Sequence, residues 1–391
     1  MGLIRKIRTG SRIVPFMVVN RLCAAVTKVK PKRVLFASDV RAELGGNLKF
    51  VYDYLPKSFD KVMDLKEDRR YRRSLAAYLK LAYYLATSRY ILLEDFLDYT
   101  AFMKLRKEQQ ICQLWHGAGA YKKFAFSRQS NTSEQIKIHT GYRRYAKAIV
   151  SAESIRSCYA EAFSIPLERV KATGIPRTDI FFQKDYIQTK REKLRQQYPI
   201  LNGKKVILFA PTYRGTQIRD AAYDFEKLDL AYLYQQLHEE YVFLFKWHPA
   251  AYNNLKANKT AAYDLCAYPD FYLDVSEFRD INDLLLIADT LITDYSSVIF
   301  EYLLTNKPII YYVHDLDEYE GGRGLYFPFS DYVYGDVVKT LPELVDSIRA
   351  ENMAEEQRAA FCERFMKECD GKSTEKTCQW LFGFLDSKQI K

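Results

Sequence analysis

The chain has 391 residues, of which 48% are hydrophobic and 15% aromatic, a globular composition that is long enough for two α/β domains. It contains no uninterrupted apolar run of about 18 residues, which argues against a transmembrane protein. The formal net charge of +10 favours an anionic partner, for which nucleic acid, a membrane surface and a phosphorylated substrate all qualify. The seven cysteines are odd in number and lack C-x-x-C or zinc spacing, which fits a reducing cytoplasm.

Basic residues dominate the start of the chain, where residues 1–33 contain nine Lys and Arg and no acid, interleaved with apolar side chains. This composition predicts that residues 1–32 form an amphipathic segment lying in an anionic lipid interface. The alternatives are an ordinary basic first helix and a signal peptide, although the apolar stretch at 13–19 is short and no small-x-small cleavage site follows it. A second basic cluster, which either widens this face or belongs to a solvated helix with a buried stripe, comprises Arg69, Arg70, Arg72 and Arg73.

Short apolar runs recur along the chain and predict buried strands at 33–38, 90–93, 110–114, 148–151, 205–210, 242–246, 271–274, 290–293 and 308–312. Helical stretches such as 229–240 and 281–288 lie between them. This alternation predicts two parallel sheets covered by helices, in Rossmann-like domains at 33–180 and 181–391 with a hinge between 174 and 203. The closing helices of 341–391 are expected to pack on the outside, and a return to the first domain is left open.

Chemically capable residues follow four of these predicted strands: His116, Thr212, His248 and Asp294. In doubly wound sheets, ligands bind beyond the carboxyl ends of the strands. His116, beside Gly117, is a candidate general base, although it could simply cap its loop. His248 and Lys246 are candidates for contact with phosphate, and His248 also for protonation of a leaving group.

Further polar residues predict an anion site. Asp294, Ser296 and Ser297 precede a predicted helix at 298–304, where backbone N–H groups attract anions, although simple capping of the helix is also possible. Glu301 is predicted to hydrogen-bond a ribose hydroxyl of the ligand, with a solvated side chain as the alternative. The predicted phosphate ligands are Thr212, Arg214 and Arg323. His139, His238 and His314 are interpreted as structural. Asp315 and Asp317 form an ambiguous Asp-x-Asp pair, and the prediction is metal-independent chemistry without a cofactor.

Taken together, the motifs resemble the CDP-glycerol glycerophosphotransferase family of Gram-positive teichoic acid synthesis. They occur in the family's order over about residues 110–330: Trp115-His116-Gly117, Gly174-Ile175-Pro176-Arg177-Thr178-Asp179, Pro211-Thr212-Tyr213-Arg214, His248-Pro249, Asp294-Tyr295-Ser296-Ser297 and Arg323-Gly324. Residues 34–110 match no motif of the family.

The resemblance implies the two-Rossmann glycosyltransferase-B architecture, with an acceptor domain at 33–180 and a CDP-polyol-binding domain at 181–391. It implies that His116 is the base and that His248, Ser296, Ser297 and Arg323 hold the pyrophosphate, with Gly117, Arg177 and Gly324 included in the substrate site. The acceptor hydroxyl would attack the β-phosphorus and release CMP.

The expected donor is CDP-glycerol, with CDP-ribitol as the alternative, and the expected acceptor is an undecaprenyl-diphosphate-linked saccharide or teichoic acid primer at the cytoplasmic face of the cell membrane. The short chain resembles primase-type members of the family. A nucleotide-sugar glycosyltransferase would use the same architecture and is the main rival. Nucleic-acid binding is disfavoured because the basic residues are concentrated in residues 1–33. A catalytically silent scaffold is disfavoured because both His116 and His248 are present.

Overall fold

A computed structural model of the chain describes residues 2–66, 73–128, 140–215, 221–224, 227–258, 265–278, 280–316 and 324–383. The chain forms two compact units, of which the first comprises Met1–Asp179 and Lys367–Lys391 and the second comprises Ile180–Met366.

Strands and helices alternate through most of the described sequence. The strands are β1 (Lys30–Ser38), β2 (Asp60–Leu65), β3 (Ser88–Leu93), β4 (Gln110–Gln113), β5 (Tyr145–Val150), β6 (Val170–Ala172), β7 (Lys205–Phe209), β8 (Tyr241–Phe245), β9 (Tyr272–Asp274), β10 (Thr290–Thr293), β11 (Ile309–Tyr312) and β12 (Asp336–Val338). The α-helices are α1 (Gly2–Val26), α2 (Gly46–Tyr54), α3 (Leu75–Thr87), α4 (Arg156–Phe163), α5 (Lys184–Gln197), α6 (Leu230–Leu237), α7 (Pro249–Asn258), α8 (Ile281–Ile287), α9 (Val298–Leu303), α10 (Leu341–Ala350), α11 (Glu355–Phe361) and α12 (Ser373–Phe382). A π-helical turn, Cys362–Met366, follows α11.

Each unit is built on one six-stranded parallel sheet, with the order β2-β1-β3-β4-β5-β6 in the first unit and β12-β11-β10-β7-β8-β9 in the second. Parallel strands need helical crossovers, which cover the sheet, so their central residues are buried on both faces. Every residue of β8 and β10 is buried accordingly. The core of the second unit is rich in aromatic side chains, including Phe209, Phe243, Phe245 and Trp247.

Helix α1 packs against α3 within the first unit. Phe16 and Asn20 are buried on its inner side, and the Asn20 side chain donates to the carbonyl of Ala82 and accepts from the backbone N–H of Lys104. The opposite side of α1 leaves Val14, Val18, Leu22 and Val26 between 53% and 82% exposed. None of the described helices is long and apolar enough to cross a membrane.

Residues 367–383 belong to the first unit, which differs from the predicted domain at 181–391. The Asp179 carboxylate accepts the backbone N–H groups of Ser373 and Thr374 at 2.9 and 2.8 Å, so a residue of the first unit caps the N-terminus of α12. At the other end of α12, Lys147 Nζ donates to the carbonyls of Trp380 and Leu381.

Gly174 makes the close approach of this returning segment possible. Its φ is +77°, and a Cβ at this position would lie 2.3 Å from both the Glu368 carbonyl oxygen and the Ser373 hydroxyl. A side chain at 174 would therefore collide with backbone that cannot easily move.

The nine predicted strands are confirmed, with ends that differ by at most three residues, and so is the α/β class with two parallel sheets. The strands β2, β6 and β12 were not predicted: β6 and β12 have three residues each, and β2 lies at the sheet edge with mostly half-buried or exposed residues. The prediction that the second basic cluster lies on a basic or solvated face is wrong for Arg73, whose guanidinium is buried between Asp39 and Asp64. Arg69, Arg70 and Arg72 lie outside the described residues.

Candidate functional site

His116 is exposed and lies three residues beyond the end of β4, which is an interior strand of the first sheet. Its Nδ1 lies 3.2 Å from the carbonyl oxygen of Glu94, which follows β3, the neighbouring strand. A carbonyl only accepts, so Nδ1 of the neutral ring carries the proton and Nε2 carries the lone pair. Next to it, a Cβ at Gly117 would meet no atom within 4 Å, so the space around this backbone is open.

The residue before His116 has a strained backbone. Trp115 has φ +54°, a conformation that costs an ordinary L-residue about 1–2 kcal/mol. Its N–H donates to Gln113 Oε1 at 2.8 Å, and its carbonyl accepts from Asn47 Nδ2 at 2.7 Å. The indole stacks on Phe124, with ring centroids 4.5 Å apart. Hydrogen bonds on both sides and aromatic packing therefore hold the turn that presents His116.

A buried carboxyl group lies behind this loop. The Glu94 side chain is 1% exposed; Oε1 accepts the backbone N–H of Asn47 at 2.9 Å, and Oε2 lies 3.1 Å from Arg41 Nε. Burial raises the pKa of Glu94 to about 7, against the opposing charges of Arg41 and Arg177. The predicted substrate ligand Arg177 is thus close enough to Glu94 to act on its charge, and its backbone N–H donates to Asn47 Oδ1.

In the second unit, Asp294 joins the loops that follow β7 and β10. It is 1% exposed, and its Oδ1 accepts the backbone N–H groups of Thr212 and Tyr295 at 2.7 and 2.6 Å. Its Oδ2 accepts from Arg214 Nη1 at 2.8 Å. The predicted site residues Thr212, Arg214 and Asp294 are therefore together at the carboxyl end of this sheet.

The guanidinium N–H groups of Arg214 donate to other protein groups. Besides Asp294, it contacts both oxygens of Asp315 and donates to the Thr212 carbonyl. Burial opposes its charge, but the two carboxylates raise the pKa of the guanidinium above its ordinary value. Arg214 thus holds three loops together, and Asp315, considered above as half of an Asp-x-Asp pair, is its ion-pair partner. Asp317 lies outside the described residues.

His248 and Lys246 follow β8 but face different surroundings. His248 is exposed, and the ring of Tyr213 lies 4.8 Å from its own ring. Lys246 is buried, with Nζ donating to the Ser276 carbonyl at 2.9 Å, and burial lowers its pKa. The exposed imidazole is accessible to a ligand, whereas the ammonium group supports the loop at Ser276.

The predicted anion site lies at the start of α9, a helix of six residues. Ser297 is exposed and Ser296 is half-buried, with the Ser296 hydroxyl accepting the Val298 N–H at 3.4 Å. Glu301 is 2% exposed, so its carboxylate lies in the interior. Gly324 is exposed, and Arg323 lies outside the described residues. Among the residues that the structure describes, no group of three or more His, Cys, Asp and Glu side chains forms a metal site.

Sequence reasoning missed Asn47, Glu94 and the role of Asp315. Neither Asn47 nor Glu94 lies in a recognisable motif, and their contacts join segments that are distant in sequence. The one available signal was the position of Glu94, which follows a predicted strand at 90–93 as the candidate ligands do.

Comparison with known proteins places these features in a family. The family model described as CDP-Glycerol:Poly(glycerophosphate) glycerophosphotransferase matches residues 19–383. The chain is 43% identical over 351 residues to the teichoic acid poly(ribitol-phosphate) polymerase of Bacillus spizizenii, covering 89% of this chain but 56% of that relative. It is 35% identical over 384 residues to the teichoic acid ribitol-phosphate primase of the same species, covering 95% and 96% of the two chains.

A solved structure has the same fold. A variant of the wall teichoic acid polymerase TagF soaked with CDPG matches with a TM-score of 0.75 at 23% identity, covering 99% of this chain and 97% of that one. With the family model covering most of the chain, the resemblance stated from the motifs is confirmed. The chain belongs to the CDP-Glycerol:Poly(glycerophosphate) glycerophosphotransferase family of teichoic acid polyol-phosphate transferases.

Proposed function

We propose that this protein transfers a polyol phosphate from a CDP-polyol to a hydroxyl of a lipid-diphosphate-linked saccharide or teichoic acid primer, releasing CMP. The observation that carries the proposal is His116, an exposed imidazole beyond β4 whose Nδ1 is held by the Glu94 carbonyl. Such a ring presents Nε2 as a proton acceptor, which is what the attack of a hydroxyl on phosphorus requires.

The reaction assigns a task to each group. The acceptor oxygen forms a bond to the β-phosphorus while its proton passes to His116 Nε2, and the bond from that phosphorus to the CMP oxygen breaks. We assign His248 to the phosphate oxygens or the leaving group, because it is exposed beyond β8. Ser296, Ser297 and Arg323 remain proposed ligands of the CDP-polyol pyrophosphate, and Gly324 and Arg177 remain proposed members of the substrate site. Arg214, Asp294 and Lys246 support the loops, since their polar atoms contact protein groups.

For the donor, we propose CDP-ribitol. Two relatives with 43% and 35% identity are named for ribitol phosphate, which favours this choice over the CDP-glycerol expected from the motifs. CDP-glycerol stays the second candidate, because the family description names it and a TagF variant was soaked with CDPG.

The test measures CMP release from each CDP-polyol with a soluble lipid-diphosphate disaccharide analogue as acceptor. We expect acceptor-dependent CMP from CDP-ribitol, and a loss of at least about 10²-fold in kcat for His116→Ala, the lower end of what a general base contributes. His238→Ala is the matched control, because that ring stacks on Tyr234 on α6. No CMP from either donor, together with incorporation of label from a nucleotide sugar, would replace the proposal with a glycosyltransferase.

We also propose that the protein binds the cytoplasmic face of the cell membrane through α1. The exposed side of this helix carries Val14, Val18, Leu22 and Val26, and α3, which packs against it, exposes Leu75 and Leu79. Exposed apolar residues in a segment whose sequence is as basic as residues 1–33 suit an anionic lipid interface. Flotation with anionic vesicles tests this: the protein should float with them and stay behind with neutral vesicles at high salt.

We propose the glycosyltransferase-B architecture for the pair of units, with acceptor binding in the first and CDP-polyol binding in the second. Support comes from the six-stranded parallel sheet in each unit and from the placement of His116 and His248 beyond strands of different sheets. Separate titrations of the His116→Ala and His248→Ala variants with CDP-ribitol test the assignment. Loss of donor binding is expected for His248→Ala alone.

A further inference from the structure

Asn47 occupies a central position in the first unit, although no motif marks it. It lies in the first turn of α2 with no solvent exposure. Its Nδ2 donates to the carbonyls of Trp115 and Leu114 at 2.7 and 3.3 Å, and its Oδ1 accepts the Arg177 N–H at 2.9 Å. One side chain therefore joins the loop after β4 to the loop after β6.

The backbone of Asn47 contacts the same region from a second direction. Its N–H donates to Glu94 Oε1 at 2.9 Å, and the carbonyl of Glu94 holds His116 Nδ1. Asn47 therefore contacts both residues that orient the imidazole: Trp115, which precedes His116 in the chain, and Glu94, whose carbonyl accepts the hydrogen bond from His116 Nδ1.

The hydrogen bonds permit one orientation of the carboxamide. Asn47 Oδ1 faces the Arg177 N–H, and Nδ2 faces the carbonyl oxygens of Leu114 and Trp115. A rotated carboxamide would set its NH₂ group against the N–H and its oxygen against the two carbonyls. Aspartate has nearly the same shape but would set an oxygen against the two carbonyls. Asn47→Asp therefore removes the restraint on Trp115 while changing the side-chain volume very little.

A restraint is needed at this point because Trp115 has φ +54°. A backbone in this region persists when surrounding contacts over-determine it, and such outliers cluster at functional sites. If Trp115 relaxes to negative φ, the direction of the chain into His116 changes. The His116 imidazole then loses its hydrogen bond to the Glu94 carbonyl, and with it the preference for protonation at Nδ1.

We propose that Asn47 is a positioning residue for the polyol-phosphate transfer: it holds Trp115 in its left-handed turn and so fixes His116 with Nδ1 on the Glu94 carbonyl and Nε2 as the base. This inference rests on the proposed function for the role of His116 in the reaction. Its structural part, the tautomer of His116, stands independently and is measured separately.

The experiment uses the full chain, which contains five histidines, labelled with ¹⁵N-histidine. Long-range ¹H–¹⁵N spectra at pH 8.5 report the tautomer of each neutral ring, and His116→Gln identifies the signal of His116. We expect the Nδ1–H form in the wild-type chain and exchange between both tautomers in Asn47→Asp. The matched control is Asn20→Asp, which changes an equally buried asparagine that is hydrogen-bonded to α3 and residue 104; it should leave the His116 signal unchanged.

Kinetics supply the second readout. For Asn47→Asp we expect kcat to fall about 10²-fold, the cost of a misplacement of about 1 Å, with little change in KM for the CDP-polyol. A wild-type His116 protonated at Nε2 would overturn the inference without any variant, so it stays testable if Asn47→Asp fails to fold. A folded Asn47→Asp protein with wild-type tautomer and kcat would overturn it as well. Full activity in His116→Ala would instead refute the proposed function and leave the tautomer result intact.

Discussion

Glu94 should make the first unit less stable as the pH rises. Its carboxyl is 1% exposed, and burial raises its pKa from 4.5 to about 7. An acid whose folded pKa is raised binds its proton more tightly in the folded state. Its contribution to stability is therefore complete below pH 4.5 and is lost as the pH rises toward and through 7.

The size of this effect follows from the two pKa values. Each pKa unit corresponds to about 1.36 kcal/mol, and integration between pH 5 and pH 8 gives a loss of about 2.5 kcal/mol in the free energy of unfolding. Glutamine at position 94 can still accept the Asn47 N–H but does not ionise. The difference in unfolding free energy between Glu94→Gln and wild type should therefore shift by about 2.5 kcal/mol in favour of the variant over this range.

The assay must report on the first unit alone, because a chain of two units need not unfold in one step. Trp115 and Trp380 lie in the first unit and Trp247 in the second, so urea unfolding is followed by tryptophan fluorescence in a Trp247→Phe background. Glu43→Gln, the same substitution at an exposed position of the first unit, is the control for the chemical change itself. A Glu94→Gln difference that is constant from pH 5 to 8, or that shifts in favour of wild type, would refute the reasoning.

Three further predictions concern contacts described above. Asp179→Ala should cost about 3 kcal/mol, from two hydrogen bonds to a charged group at about 1.5 kcal/mol each, and should speed hydrogen exchange in α12; unchanged exchange would contradict this. Arg214→Ala leaves the buried Asp294 without its cation and should destabilise the second unit by about 3 kcal/mol, seen in Trp247 fluorescence during urea unfolding and contradicted by an unchanged midpoint. The Val18→Asp and Leu22→Asp pair should abolish flotation with anionic vesicles while leaving the thermal midpoint unchanged, because both side chains are more than half exposed; retained flotation would contradict the α1 proposal.

The fold was largely predictable because its signals are local. A buried parallel strand is an apolar run, and this pattern predicts nine of the strands. The membership of residues 367–383 was not predictable, because Asp179 caps α12 across 194 positions in sequence. A single aspartate in a Gly-Ile-Pro-Arg-Thr-Asp motif gives no indication of which helix it caps.

The sequence predicted which residues of the candidate site lie together better than it predicted which groups they contact. Reading polar residues after strand ends placed Thr212, Arg214 and Asp294 correctly together at one end of a sheet. Arg214 and Lys246 were predicted to contact phosphate, and this stays a prediction; the structure shows that their side chains contact Asp315 and the Ser276 carbonyl. Residue type identifies a charge, whereas long-range packing decides which group neutralises it.

Asn47 and Asp294 show the same structural device in the two units. Each is buried, each accepts or donates with every oxygen or nitrogen of its side chain, and each joins the loops after two strands of one sheet. A loop that carries a catalytic or substrate-binding group must be held to within a fraction of an ångström, and a buried polar side chain with several partners does this without meeting the ligand. Loss of transfer activity in this chain should therefore follow substitution of the buried residues Asn47 and Asp294 as well as substitution of the exposed His116 and His248.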